Sequence, residues 1–247
     1  MERTLTKIAV VMPAYNAEKT LKTTLDSIPP QLVSELLLVD DASQDRTVAF
    51  ALEMGIKVVR HIKNMGYGAN QKTCYKEILK TDAQIIVMIH PDYQYDARMI
   101  PALVQPIQLD ICDVMLGNRI RTRKEAIGGG MPLYKYLANR GLTLLENLLL
   151  GQNLGELHSG MRAYKREVLE QLPWTLFSDD FVFDQQFLIL CAYRGFRMGD
   201  VPVPARYFVE ASSINFIRSV KYGVQSLLTL GSYGCAKLGI YKHKIFK

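Results

Sequence analysis

The residues best suited to chemistry in this chain are carboxylates and an imidazole placed where apolar runs end. IIVMIHPDYQYD (85–96) is apolar for five residues and then turns polar at His90, Asp92 and Gln94. A carboxylate oxygen is a hard ligand suited to Mg²⁺ or Mn²⁺ beside phosphates, whereas imidazole is softer and better tolerated by Mn²⁺. The run therefore reads as a strand delivering a metal and diphosphate site, with a plain surface turn at Pro91 as the simpler alternative. ELLLVDDASQDRT (35–47) ends in the adjacent acids Asp40 and Asp41. Asp45 is explained as a helix start, where an acid suits the dipole. Asp40 and Asp41 are not, and a carboxylate there accepts hydrogen bonds from a nucleobase or ribose. ELHSGMRAYKREVL (156–169) sets Ser159 and Arg162 ahead of an apolar helix, with Arg162 either a phosphate clamp or a surface charge. FSDDFVFDQQF (177–187) carries Asp179, Asp180 and Asp184; Asp180 suits a helix cap, and Asp184 is the better candidate for chemistry.

Such residues meet only if a scaffold brings strand ends together. Apolar runs at 7–16, 35–43, 57–61, 83–92 and 113–119 alternate with helical patterns at 17–28, 45–55, 69–80 and 97–107. This alternation implies βαβ units and a mostly parallel sheet with helices on both faces, an α/β fold. In such sheets ligands bind beyond the carboxyl ends of the strands. Tyr15–Asn16, Asp40–Asp41, His90–Asp92 and Asn118–Arg119 all fall there. KNMGYGANQKTCY (63–75) lacks the full dinucleotide fingerprint, so Gly66 and Gly68 read as points where backbone approaches a ligand or a neighbouring strand. The sequence carries no P-loop, nucleophile elbow, zincin or protein-kinase motif.

In the second half, the basic, glycine-rich RTRKEAIGGGMP (121–132) reads as a mobile loop. A helix follows, started by Pro132 and stopped by Gly151, and a strand is expected over 197–208. Over 214–238 a helical pattern places Phe216, Ile217, Val220, Val224, Leu227 and Leu228 on one face. The expected division is a catalytic domain at 1–212 and an amphipathic tail at 213–247 that packs on the domain, a partner or a membrane surface.

Composition sets the outer bounds. The 247 residues are 49% hydrophobic and 22% charged, enough for one large α/β domain and incompatible with general disorder. A net charge of +6 suits anionic ligands. Nucleic acid is disfavoured, because the lysines and arginines form no stripe and no recognised module is present. The four cysteines are far apart without a CxxC pair, which points to reduced thiols in a cytosolic protein. No signal-peptide pattern opens the chain, and the uncharged stretch between Lys221 and Lys237 is too short and polar for a membrane span.

Read in order, VVMPAYNAE, LLLVDDASQDRT, NMGYGANQ, HPDYQ, GNR, SGMRAY and DVPVPARY resemble the family 2 glycosyltransferases, above all the branch of dolichol- and polyprenol-phosphate sugar transferases. The resemblance covers roughly the whole chain. It implies a GT-A fold with a Rossmann-like sheet, and inverting transfer of one sugar from a UDP- or GDP-sugar to a polyprenyl phosphate. A glycan or lipid hydroxyl is the alternative acceptor, and a non-catalytic nucleotide-sugar binding module is a third reading. It further implies that Pro13, Tyr15 and Glu18 contact the nucleoside, with Gly66 nearby, and that Asp40 and Asp41 hold base or ribose. Asp92 matches the second acid of the family's DxD and Gln94 assists at metal and phosphates, with His90 replacing the first acid. Arg119 and Arg162 would face phosphates, and Arg206 the donor or acceptor phosphate. Gln186 stands where relatives often carry Glu, and Asp184 lies two residues earlier. The implied cofactor is Mg²⁺ or Mn²⁺, the latter favoured by His90. A phosphate acceptor, with a second pKa of about 6, needs no base; a hydroxyl acceptor does, from Asp184 or Asp180. The acceptor places the protein at the cytoplasmic side of a membrane, and oligomers are compatible with the sequence.

Overall fold

The structure, a computed structural model, describes residues 6–206 and 216–247. Seven strands form one sheet: β1 (Ile8–Ala14), β2 (Glu35–Asp40), β3 (Lys57–Arg60), β4 (Ile85–Met88), β5 (Val114–Asn118), β6 (Arg162–Lys165) and β7 (Met198–Pro202), in the order β3-β2-β1-β4-β6-β5-β7. Every pairing is parallel except those of β6, which runs antiparallel to both β4 and β5. The helices are α1 (Glu18–Asp26), α2 (Thr47–Glu53), α3 (Tyr67–Ile78), α4 (Ile100–Gln108), α5 (Arg123–Gly128), α6 (Leu133–Leu150), α7 (Arg166–Gln171), α8 (Phe183–Arg194) and α9 (Phe216–Lys237).

The central strands are apolar along their whole length because both faces are covered. All seven residues of β1 are buried. Ala9, Val11, Ile86 and Met88 join Phe183, Phe187 and Leu188 of α8 on one side. Ile8, Val10, Met12 and Val87 join Leu21 of α1 and Leu103 of α4 on the other. Successive residues thus serve opposite cores, as the period of two in a strand requires.

Two expectations change. The segment around Arg162 is a strand, not the approach to a helix; RAYK is too short and mixed in polarity to give a strand pattern, and its partners fix it. The basic stretch after β5 contains α5, whose start is capped by the Thr122 hydroxyl accepting from Glu125 N–H at 3.1 Å. The second half of the tail packs on the domain, one of the placements expected for it. Leu230, Tyr233 and Ala236 of α9, with Ile245 and Phe246 beyond it, belong to the same core as α8. Residues 207–215, which include the last part of the expected strand and the first of the tail, lie outside the described residues.

The apolar face read from the tail sequence is present but points outward. Ile217 is 78% exposed and Leu228 67%. On α6, Leu144 and Leu148 are 71% and 77% exposed. Helices α6 and α9 pack against each other. No described helix is long and apolar enough to cross a membrane.

Candidate functional site

The carboxyl edge of the sheet is where the backbone departs most from ordinary conformations. Asn16, Ala42 and Tyr93 follow β1, β2 and β4 and all have positive φ, 51°, 61° and 55°. For residues with a Cβ this is uncommon and carries strain, and such residues cluster at functional sites. The turns are held by side chains. Glu18 and Asp45 exchange bonds between two helix starts: Glu18 N–H donates to Asp45 Oδ2 at 3.0 Å and Arg46 N–H to Glu18 Oε2 at 3.0 Å. Asp40 is buried and accepts from Ser43 N–H at 3.1 Å. Asp41 accepts from Met65 and Gly66 N–H at 2.7 and 3.0 Å and meets His61 Nδ1 at 2.7 Å. It organises the loop before α3.

That loop explains the glycines. Gly66 has φ +101°, and a Cβ at Gly68 would lie 2.3 Å from the Ser178 carbonyl oxygen. Gly68 N–H donates to Asp179 O at 2.8 Å. The neighbour that needs the space is the 178–180 turn before α8.

At the centre lies a chain of polar groups. Tyr67 Oη donates to Asp184 Oδ2 at 2.8 Å and sits 3.1 Å from His90 Nε2. The His90 ring stacks on Tyr67 with centroids 5.3 Å apart and also hydrogen-bonds the Pro13 backbone. Asp184 Oδ1 accepts from Gln71 Nε2 at 2.9 Å. Arg162 Nη1 lies 3.0 Å from the same oxygen, close enough for an ion pair but without hydrogen-bond alignment. Arg162 is 1% exposed, and its Nε donates to Ser159 O at 2.7 Å. Because β6 is antiparallel, its first residue reaches the edge where its neighbours end, which puts Arg162 directly beneath Asp184.

Above this chain opens a cavity of about 860 Å³. One end is walled by Pro13, Tyr15, Asp41, Gly66 and Asn70, and the middle by His90, Asp92, Gln94 and Asp184. The far end is walled by α6 and α9, with Lys135 from the first and Arg218, Lys221 and Tyr222 from the second. Burial, and then the charge of Arg119, hold the Lys135 ammonium below its ordinary pKa. Lys221 pairs with Asp180 at 2.6 Å across the opening.

Under the far end is a buried polar cluster that composition and motif reading did not signal. Glu146 of α6 is 1% exposed, and neither carboxyl oxygen has a hydrogen-bond partner. Its Oε2 lies 3.4 Å from His158 Nε2. Burial pushes the Glu146 carboxyl up to about 8 and the His158 imidazole down to about 4. A carboxyl raised on folding contributes stability that is complete below its unfolded pKa and lost as pH rises through the folded value. Glu146→Gln cannot ionise, so it is expected to exceed wild type by about 4 kcal/mol at pH 8.5 and to match it near pH 4. Urea midpoints at the two pH values give the comparison; an equal gap at both would assign the effect to packing.

Nine of the expected site residues line the cavity: Pro13, Tyr15, Asp41, Gly66, His90, Asp92, Gln94, Arg119 and Asp184. Four do not. Glu18 and Asp40 shape the turns. Arg162 is sealed under Asp184 and cannot clamp a phosphate. Arg206 lies over the Tyr93 ring, 4.4 Å from its centroid, and 3.6 Å from Asp96, on the outer side of the 92–96 turn. Arg119 faces the cavity, but Glu156 already matches its charge: its main-chain N–H and Nε donate to that carboxylate at 2.7 and 2.9 Å. His90 lines the cavity, with its ring engaged by Tyr67 and the Pro13 backbone. Among the described residues no three His, Cys, Asp or Glu converge on a metal position. Asp92 on the cavity wall does fit a cation shared with a diphosphate, since Mg²⁺ is commonly held by one or two carboxylates plus substrate phosphates and water. Glu156, His158, Lys135, Lys221 and Tyr222 are additions; the basic residue of α6 and those of α9 were visible only as helix charges.

Comparison with known proteins agrees with this geometry. Residues 9–173 match the model of Glycosyl transferase family 2. A dolichyl-phosphate hexose transferase of Haloferax volcanii is 31% identical over 207 residues, covering 83% of this chain and 85% of its own. A UDP-N-acetylglucosamine–dolichyl-phosphate N-acetylglucosaminyltransferase of Methanococcus voltae is 27% identical over 217 residues, covering 81% and 86%. Among solved structures, glucosyl-3-phosphoglycerate synthase of Mycobacterium tuberculosis with Mn²⁺, UDP and phosphoglyceric acid shares the fold at a TM-score of 0.65 and 22% identity, covering 96% of this chain and 80% of its own. A second structure of the same enzyme was solved with Mg²⁺ and UDP, at a TM-score of 0.69 and 23% identity, again covering 96% and 80%. With a mostly parallel sheet, a cavity at its carboxyl edge and a match across two-thirds of its length, this glycosyltransferase belongs to glycosyl transferase family 2.

Proposed function

We propose that the enzyme moves one sugar from a nucleotide-sugar to a polyprenyl phosphate, with inversion at the anomeric carbon. The observation that carries this reading is the charge pattern of the far end of the cavity. Lys135 and Arg218 line it beside the Lys221–Asp180 pair, and the other nearby carboxylates are already engaged: Asp184 by Arg162, Gln71 and Tyr67, and Glu156 by Arg119 and Asn139. Such a wall suits an anionic nucleophile and is poorly furnished with a base for a hydroxyl. A phosphate monoester, with a second pKa of about 6, is already ionised at neutral pH.

Its oxygen forms the new bond to the anomeric carbon while the bond from that carbon to the nucleoside diphosphate breaks. Pro13, Tyr15 and Asp41 border the nucleoside end, and Asp184, fixed by Tyr67 and Gln71, presents a rigid acceptor to a sugar hydroxyl. Asp92, with Gln94, would hold the divalent cation, which when bound neutralises charge on the departing diphosphate. The outward apolar faces of α6 and α9, beside the cationic end, would rest on a bilayer and leave the lipid tail outside the cavity.

A mass-spectrometric screen tests the reading: UDP- and GDP-sugars against polyprenyl phosphate in anionic vesicles and against simple sugar acceptors, with Mg²⁺ and Mn²⁺ in parallel. A glycosyl polyprenyl phosphate is expected. Transfer to sugar hydroxyls with none to the phosphate would replace the acceptor assignment, and donor binding without transfer to any acceptor would favour a binding module.

A further inference from the structure

The acceptor half of the cavity depends on a helix held unevenly. The second half of α9 is fixed in the core through Leu230, Tyr233 and Ala236. The first half carries Arg218 and Lys221 to the cavity, yet none of residues 216–225 falls in the buried class. Lys221 meets Asp180, an exposed pair worth little in water. Phe216 packs edge-on against Tyr134 of α6 at 5.3 Å. A further anchor is inside: Tyr222 Oη lies 2.8 Å from His158 Nδ1, with the two rings edge to face at 5.7 Å.

We propose that His158 and Tyr222 are positioning residues for the acceptor, pinning the first turns of α9 so that Arg218 and Lys221 face the acceptor phosphate. The inference rests on the reading that this end of the cavity receives the acceptor. The imidazole is built to receive a hydrogen bond at Nδ1. Gln185 Nε2 donates to Leu157 O at 2.9 Å, which fixes the orientation of its amide, and lies 2.6 Å from Nδ1. Nδ1 is then the acceptor nitrogen, and the ring proton sits on Nε2, toward Glu146. The Tyr222 hydroxyl of α9 lies 2.8 Å from Nδ1 and shares that nitrogen's single lone pair with the Gln185 amide, to which it is itself hydrogen-bonded. The backbone of His158 is tied as well, its carbonyl accepting from Arg119 Nη2 at 2.7 Å. One residue therefore joins α6, α8, α9 and the Arg119 loop beneath the cations.

The test is steady-state transfer with polyprenyl phosphate varied at saturating donor. Tyr222→Phe keeps the ring and removes only the hydroxyl; it is expected to raise the acceptor KM about tenfold, kcat changing far less, consistent with the loss of one hydrogen bond. His158→Ala should do the same. His158→Asn, whose side-chain oxygen takes the place of Nδ1, should restore most of the loss. In the double variant Tyr222→Phe/His158→Ala the KM should be no higher than in either single one, because the two act through one bond. Additive KM effects would mean separate acceptor contacts and overturn the proposal, as would an unchanged KM in Tyr222→Phe or a fall in kcat alone. Failure of wild type to use polyprenyl phosphate would instead overturn the acceptor assignment itself.

Discussion

Asp184→Asn should destabilise the protein by about 3–5 kcal/mol, because it leaves a buried guanidinium without its counter-charge. Arg162 is 1% exposed and its nearest carboxylate is Asp184 at 3.0 Å. The asparagine also weakens the bonds that Tyr67 and Gln71 make to the carboxylate. Pairing the change with Arg162→Met removes the stranded charge and fills similar volume, so much of the stability should return. Transfer should not return, since the rigid hydroxyl acceptor is gone from the cavity wall. Urea unfolding of the wild type, both single variants and the double one gives the four corners of the cycle. A single Asn variant as stable as wild type would show that Arg162 finds its compensation elsewhere. The same cycle separates a catalytic loss from a folding loss, which the Asn variant alone does not.

Asp92→Ala should cut turnover about a thousandfold, equivalent to about 4 kcal/mol, the scale expected when charge stabilisation at the departing diphosphate is lost. The effect on folding should be smaller than that on turnover. Asp92 accepts from Gln94 N–H at 3.0 Å within its own turn, a bond worth about 1 kcal/mol. The discriminating readout is the metal dependence of nucleoside diphosphate binding by calorimetry. In wild type, Mg²⁺ or Mn²⁺ should strengthen binding, and in the variant the two titrations should coincide. Near-normal turnover with retained metal dependence would remove Asp92 from the cation's surroundings.

The parallel core could be read directly because its strands bury both faces and so appear as unbroken apolar runs, as in β1 and β4. Their polar ends then located the edge at which Asp92 and Asp41 stand. What composition and spacing could not supply was pairing. Asp41 looked like a ligand for a nucleoside, yet much of its bonding goes to the backbone of Met65 and Gly66. Arg119 and Arg162 looked alike in sequence. Glu156 neutralises the first at the cavity wall, and Asp184 holds the second below it. The partners lie 37 and 22 residues away along the chain, and no local pattern announces such a match. The acceptor wall was hidden for another reason. Lys135, Lys221 and Tyr222 sit on amphipathic helices, where a solvated charge is the default reading.

The direction of β6 has a consequence for how the protein can be made. Strands β4 and β5 come early in the chain, but the strand that joins them begins at residue 162. Until Arg162–Lys165 emerges during synthesis, the growing polypeptide has a four-stranded half-sheet, β3-β2-β1-β4, with an unpaired apolar border, and a lone β5 whose two neighbours both come later in the chain. A fragment ending after α6 would retain the residues at the nucleoside end and lack the seam that fixes them to the rest. Truncation should therefore give an aggregation-prone intermediate in place of a compact donor-binding module, and full assembly waits on a contact between distant parts of the chain, which slows folding.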